Sequence, residues 1–150
     1  MSKQALNTLA AERHKARHYA LQALYQWHMA EAPINQIEAE FRADYDFSHV
    51  DLEYFQALLH GIPGCVDELE ALIEPLIDRK LNDLDPIERA LLRMGTFELQ
   101  QRIDVPWKVV INESVSLAKK FGATDSFKYI NGVLDKLARQ LRKAETDAGT

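Results

Sequence analysis

Apolar residues fall three or four positions apart in nearly every window of this 150-residue chain, and no strand-length stretch alternates apolar with polar between turn residues. That spacing gathers side chains into one stripe on a helix with 3.6 residues per turn, but would scatter them over both faces of a sheet. It restricts the chain to an all-α fold. The first helix is expected over about 11–29, with Ala16, Ala20, Ala23, Leu24 and Trp27 inward and Arg13, Lys15 and Arg17 on the opposite face. A second follows Pro33 through Ile34, Ile37, Phe41 and Tyr45, and a third begins near Asp51 with Leu52, Phe55, Leu59 and Ile62 inward. Pro63-Gly64 either kinks or ends that helix, because proline cannot bond the carbonyl four residues back, yet Val66, Leu69, Leu72 and Ile73 resume the spacing.

Punctuation is clearer in the second half. Asp85-Pro86-Ile87-Glu88 sets a capping acid before proline at the first helical position and glutamate at the third. The helix it opens carries Ile87, Leu91, Met94 and Phe97 inward to near Arg102, and Asp104-Val105-Pro106 repeats the signal for a helix reaching Phe121, with Gly122 as its C-terminal cap. Phe127, Ile130, Leu134, Leu137 and Leu141 mark a last helix. Gly132 inside it costs up to ~1 kcal/mol relative to alanine, which reads as close approach of another backbone. Together these elements predict two small three-helix bundles, about 11–78 and about 79–143, packed into one unit without a Gly/Ser-rich linker. Residues 144–150 read as a disordered tail.

A chain of this length, 47% hydrophobic, has enough core to fold without disulfides, and the single Cys65 reads as a small buried hydrophobe in a reducing cytoplasm. Met1-Ser2-Lys3-Gln4 opens no signal-peptide core, and no run approaches the ~18 apolar residues of a membrane span. Net charge is −5, which argues against coating nucleic acid by bulk charge, but the charge is unevenly placed. Residues 1–29 hold Lys3, Arg13, Lys15 and Arg17 against Glu12 alone; residues 30–78 hold twelve acids against Arg42; residues 79–150 are again net basic. The two basic ends could converge into an anion-binding face.

Catalytic constellations are hard to find. His14 and His18 share a helix face at the spacing of a metal pair, but no further ligand stands at a recognisable distance along the chain. Gly61, Gly64, Gly122 and Gly132 form no phosphate-cradling loop, and the acids of the middle segment read as a solvated face rather than a catalytic pair. No metal, cofactor or catalytic residue is expected. What does stand out is cations interleaved with aromatic rings, the combination that grips phosphates and stacks unpaired bases. Arg13, Lys15, Arg17 and Tyr25 supply it on the first helix, and Ser126, Lys128 and Tyr129 at the start of the last. The plainer alternative makes both tyrosines half-buried packing residues and the cations a solvated face.

Five segments resemble the bacterial NusB family of transcription antitermination factors: 16–25 (ARHYALQALY), 88–94 (ERALLRM), 104–113 (DVPWKVVINE), 118–122 (AKKFG) and 127–136 (FKYINGVLDK). The likeness runs in order from about Arg13 to Ala138. It implies a fold of two three-helix bundles and a factor, not an enzyme, that binds the single-stranded boxA element of rRNA transcripts. It further implies that this is done together with NusE, a ribosomal small-subunit protein, within the RNA polymerase antitermination complex. By the same resemblance the RNA-binding residues are Arg13, His14, Lys15, Arg17, Tyr25, Asp125, Ser126, Lys128 and Tyr129, and Glu88 faces NusE. Homodimerisation is compatible with it. His14 stands where relatives often carry arginine, and His18 where they often carry glutamate, so RNA binding is expected to strengthen between pH 8 and pH 6 as histidine gains charge. Tyr129 replaces a frequent phenylalanine and keeps its stacking face. Two other readings stay open: a helical adaptor that binds only protein, and a domain like the N-terminal part of rRNA cytosine methyltransferases, against which the missing nucleotide loop counts.

Overall fold

The computed structural model describes residues 2–148, among which every regular element is helical and no strand occurs. The chain divides between Gly64 and Cys65 into two units.

The first unit holds α1 (Lys3–Ala30), α2 (Ile34–Asp44) and α3 (Leu52–Gly64). α1 opens eight residues earlier than its apolar stripe suggests, because Ser2 caps it by accepting the Ala5 N–H at 3.0 Å. Its first two turns bury almost nothing, so no periodicity marks them. α1 lies against both α2 and α3, and the interior is filled by Ala16, Ala20, Leu21 and Leu24 of α1, Ile37 and Phe41 of α2, and Phe55, Leu58, Leu59 and Ile62 of α3. Alanine at 16, 20 and 23 keeps the α1 surface low enough for large neighbours to close over it. Asp51 caps α3 through the Tyr54 N–H at 3.0 Å. Tyr45, expected inward, terminates α2 and is 43% exposed, tilted against Phe41 and Tyr19.

The helix does end at Pro63-Gly64. Cys65 leaves helical geometry and α4 (Val66–Ile73) begins anew. Cys65 itself is half-buried rather than sealed in the core. α4 belongs with the second unit, not with the first as the 78/79 boundary had it, because Leu69 and Ile73 pack toward α5 (Pro86–Gln101) and Glu70 grips two α5 arginines. Two 3₁₀ turns, Glu74–Leu76 and Leu81–Asp83, carry the chain to α5, whose cap Asp85 accepts the Ile87 N–H at 2.8 Å and the Glu88 N–H at 3.3 Å. α6 (Trp107–Phe121), α7 (Ser126–Leu141) and α8 (Lys143–Asp147) complete the unit.

α5 is its axis. Every residue from Ala90 to Leu99 is buried, all the way round the helix, with α4, α6 and α7 packed on it. An apolar stripe of four residues understates such a helix, because Arg93, Thr96 and Glu98 are buried too. Arg93 is neutralised by Glu70, which accepts from its Nη2 at 2.8 Å and from Arg89 Nε at 2.7 Å. Burial alone would raise the Glu70 carboxyl; hydrogen bonds and charge from both arginines outweigh it and hold the group below the ordinary carboxylate range. The close approach expected at Gly132 occurs instead at Gly95, where an added Cβ would stand 2.7 Å from Leu134 Cδ1 of α7. Gly132 is exposed, with nothing within 4 Å of such a Cβ.

The expected disordered tail is ordered as far as it is described; Gly149 and Thr150 lie outside the described residues. Arg142, whose side chain is 1% exposed, donates to the carbonyls of Leu99 at 2.7 Å, Val105 at 2.9 Å, Arg102 at 2.9 Å and Glu98 at 3.2 Å. Its guanidinium therefore caps the C-terminal end of α5, where helix carbonyls lack intrahelical donors. Glu145 accepts from Arg142 Nη1 at 2.7 Å and from the Trp107 N–H at 2.8 Å, and so caps α6. Asp104, the expected cap, pairs with Arg102 instead, Nε to Oδ1 at 3.1 Å.

Candidate nucleic-acid interface

The candidate residues form two sets, one in each unit. In the first unit, Arg13 and Arg17 stand four residues apart on α1 and turn toward α3, not to the solvent face opposite the apolar stripe. Arg13 lies with Cζ 4.6 Å over the Tyr54 ring and Nε 3.4 Å from Asp51 Oδ2. Arg17, only 3% exposed, lies 5.1 Å over the same ring and donates to the Tyr54 hydroxyl at 3.4 Å. Tyr54 is thus a platform for two cations, and Arg17, unlike the outward cation expected, is buried beside it. A buried guanidinium is tolerable there because the ring face and hydroxyl replace part of its hydration. His14 and Lys15 are exposed, Tyr25 is 36% exposed, and His18 packs edge-on to Tyr19 at 5.4 Å.

The second unit gathers its set around the start of α7. Asp125 precedes the helix in the left-handed region, φ 66°, and gives no side-chain cap, so its carboxylate is left facing Lys128 at 3.5 Å. Lys128 is 69% exposed. Ser126 is buried and donates to Glu88 Oε2 at 2.6 Å, which joins an expected RNA contact to the expected partner contact inside one protein hydrogen bond. Tyr129 donates its hydroxyl to Asp78 Oδ1 at 3.2 Å, and Arg79 Cζ lies 4.6 Å over its ring. The hydrogen bond from Arg79 keeps Asp78 below the usual carboxylate range, and the same bond raises Arg79. Burial, aided by the Asp78 charge, pushes the Tyr129 phenol up. Near neutral pH the cluster therefore holds an ionised carboxylate, a charged guanidinium and a neutral phenol.

Asp78 and Arg79 were invisible to helical periodicity because they sit between the two 3₁₀ turns, where no apolar repeat assigns a direction. The one available signal was a change of sign, Arg79-Lys80 closing the acidic segment.

The NusB family model matches residues 14–139, which take in every candidate residue except Arg13. The chain belongs to the NusB family. Among similar proteins, the transcription antitermination protein NusB of Hahella chejuensis is 59% identical over 137 residues, covering 91% of this chain and 92% of its own. The protein of the same name from Alcanivorax borkumensis is 59% identical over 133 residues, covering 89% of each. A solved structure of T. maritima NusB superposes with a TM-score of 0.78 at 28% identity, over 90% of this chain and 96% of that one. In this member of the NusB family no group of three or more histidine, cysteine, aspartate or glutamate side chains that could hold a metal ion occurs among the described residues, and no helix among them is long and apolar enough to cross a membrane.

Proposed function

We propose that this NusB-family chain is a cytoplasmic transcription antitermination factor that binds single-stranded boxA RNA of rRNA operon transcripts together with NusE, and promotes read-through by RNA polymerase. The observation that carries the reading is the family match over residues 14–139, with relatives of nearly full mutual coverage named transcription antitermination proteins. The geometry supports a binding mechanism with no chemical step. Lys15 and Lys128 present exposed cations for the phosphodiester backbone, with His14 and Arg13 beside Lys15 in sequence, while Tyr25 and Tyr129 offer rings to unstacked bases. Arg17 acts through Tyr54, holding the helix that carries Arg13 and Lys15. Ser126 and Glu88 fix the first turn of α7, and Asp125 orients Lys128. A net charge of −5 makes binding by the protein alone weak, so a basic partner that offsets phosphate repulsion strengthens it.

The test is fluorescence anisotropy of a short labelled boxA RNA and a scrambled control, with and without NusE, at two salt concentrations. Preferential boxA binding that tightens with NusE and weakens with salt is the expected result. Equal or absent binding to both RNAs by folded protein refutes the RNA reading and moves the function to a protein adaptor.

A further inference from the structure

The Asp78–Arg79–Tyr129 cluster is more than a surface ion pair. Arg79 Nε donates to Asp78 Oδ1 at 2.8 Å and Nη2 to Oδ2 at 3.3 Å, the side-on fork that a guanidinium also offers to two phosphate oxygens. Two of its five N–H groups are engaged in this way; among the described residues the other three have no protein acceptor. The Tyr129 ring beneath holds the guanidinium plane in place, and the Tyr129 hydroxyl steadies the same carboxylate. Asp78 is 70% exposed and Arg79 44%, so neither is locked in by packing and water or a ligand reaches both. Glu88 adds a second negative field on Arg79.

We propose that Arg79 is a phosphate-contacting residue of the RNA site and that Asp78 is its internal competitor, occupying on the guanidinium the place that phosphodiester oxygens take in the complex. The proposal rests on the RNA-binding reading above. It adds to that reading a cation that no helical face announces and a carboxylate that holds affinity down. The exchange keeps the two-point contact: the oxygen pair of a carboxylate leaves the fork and the two non-bridging oxygens of a tetrahedral phosphodiester enter it, while Arg79 stays over the Tyr129 ring. Because the contact is to the backbone, it is blind to sequence and lowers or raises affinity for every RNA alike.

The test uses the full chain with NusE and the same two labelled RNAs over a salt series. Arg79→Ala is expected to weaken binding of both RNAs about tenfold, as loss of one charge-assisted contact does, and to flatten the dependence of log affinity on log salt by ~0.7. Asp78→Asn is expected to tighten binding several-fold, but to have almost no effect in the Arg79→Ala background. Asp135→Asn, which makes the same charge change beside Arg139, is expected to leave affinity unaltered. Wild-type binding with an unaffected Arg79→Ala variant overturns the proposal while leaving the RNA reading intact. So does an Asp78→Asn gain that is equal with and without Arg79, since that gain is net charge alone. Wild-type protein that binds neither RNA overturns the RNA reading, and this proposal with it.

Discussion

Replacing Arg142 by methionine removes the guanidinium while keeping an unbranched stem of similar reach, and the consequences can be worked bond by bond. Of the four carbonyls it serves, Glu98 keeps its bond from the Arg102 N–H and Arg102 keeps its bond from the Val105 N–H. Leu99 and Val105 have no other donor among the described residues. Each buried carbonyl left unpaired costs about 1–3 kcal/mol. Glu145 also loses its charged partner while still capping α6. Against this, methionine need not desolvate a buried charge, which recovers part of the loss. The expected net is a destabilisation of about 3 kcal/mol. In urea, with a slope of about 1–3 kcal/mol per molar, the unfolding midpoint followed by circular dichroism falls by about 1–3 M. Arg142→Lys keeps the charge but not the fork, and is expected to recover less than half. A methionine variant whose midpoint is unchanged would refute the capping argument, since it would mean that water satisfies those carbonyls equally well.

Glu70→Ala removes the carboxylate that binds buried Arg93 and Arg89 together and is expected to cost about 3–5 kcal/mol in the same assay. The Glu70 carboxyl lies below its ordinary range in the folded state, so its contribution is complete above the unfolded value, near 4.5, and is lost as pH falls through the folded value; Glu70→Gln removes that acid-dependent part, seen as a smaller stability difference between pH 7 and pH 3. Gly132→Ala is expected to stabilise by about 0.5–1 kcal/mol, since it meets open space on a helix, whereas Gly95→Ala strikes the fully buried Leu134 and is expected to unfold earlier than wild type. Tyr129→Phe loses only the hydroxyl contact with Asp78 and leaves RNA affinity nearly intact, while Tyr129→Ala costs about 1–3 kcal/mol of binding by anisotropy; equal effects of the two would dismiss a stacking role.

The helices were legible where one face is apolar and the caps are local. Asp85-Pro86 opens α5 where the sequence puts it, and Ile130, Leu134 and Leu137 of α7 are buried at their heptad positions. Periodicity failed at both extremes of burial: the first turns of α1 bury nothing, and α5 buries every side. It failed again wherever a distant residue does the capping, as with Arg142 and Glu145, which local sequence can only read as a charged tail. The candidate interface was legible as a set of residue types but not as directions. Arg13 and Arg17 share the spacing of a surface pair, and only the presence of Tyr54 on α3 explains why they turn inward. Arg79 could not be found by any repeat, because its direction is set by a ring fifty residues further along the chain.

The caps supplied by Arg142 and Glu145 also set an order of events in time. Within the first unit Arg17 meets Tyr54 and Arg13 meets Asp51, and those two contacts can form as soon as α3 has left the ribosome. The caps of α5 and α6 cannot form so soon. The central helix of the second unit and the elbow into α6 lack these donors and acceptors until residues 142–145 have been made. At about 5–20 residues per second, that leaves α5 waiting for seconds with every side, apolar and polar alike, uncovered and no finished end. The stretch of chain least able to stand alone is also the one that must wait longest, so the burden of keeping this protein from aggregating during synthesis falls on the interval between translating Leu99 and translating Glu145.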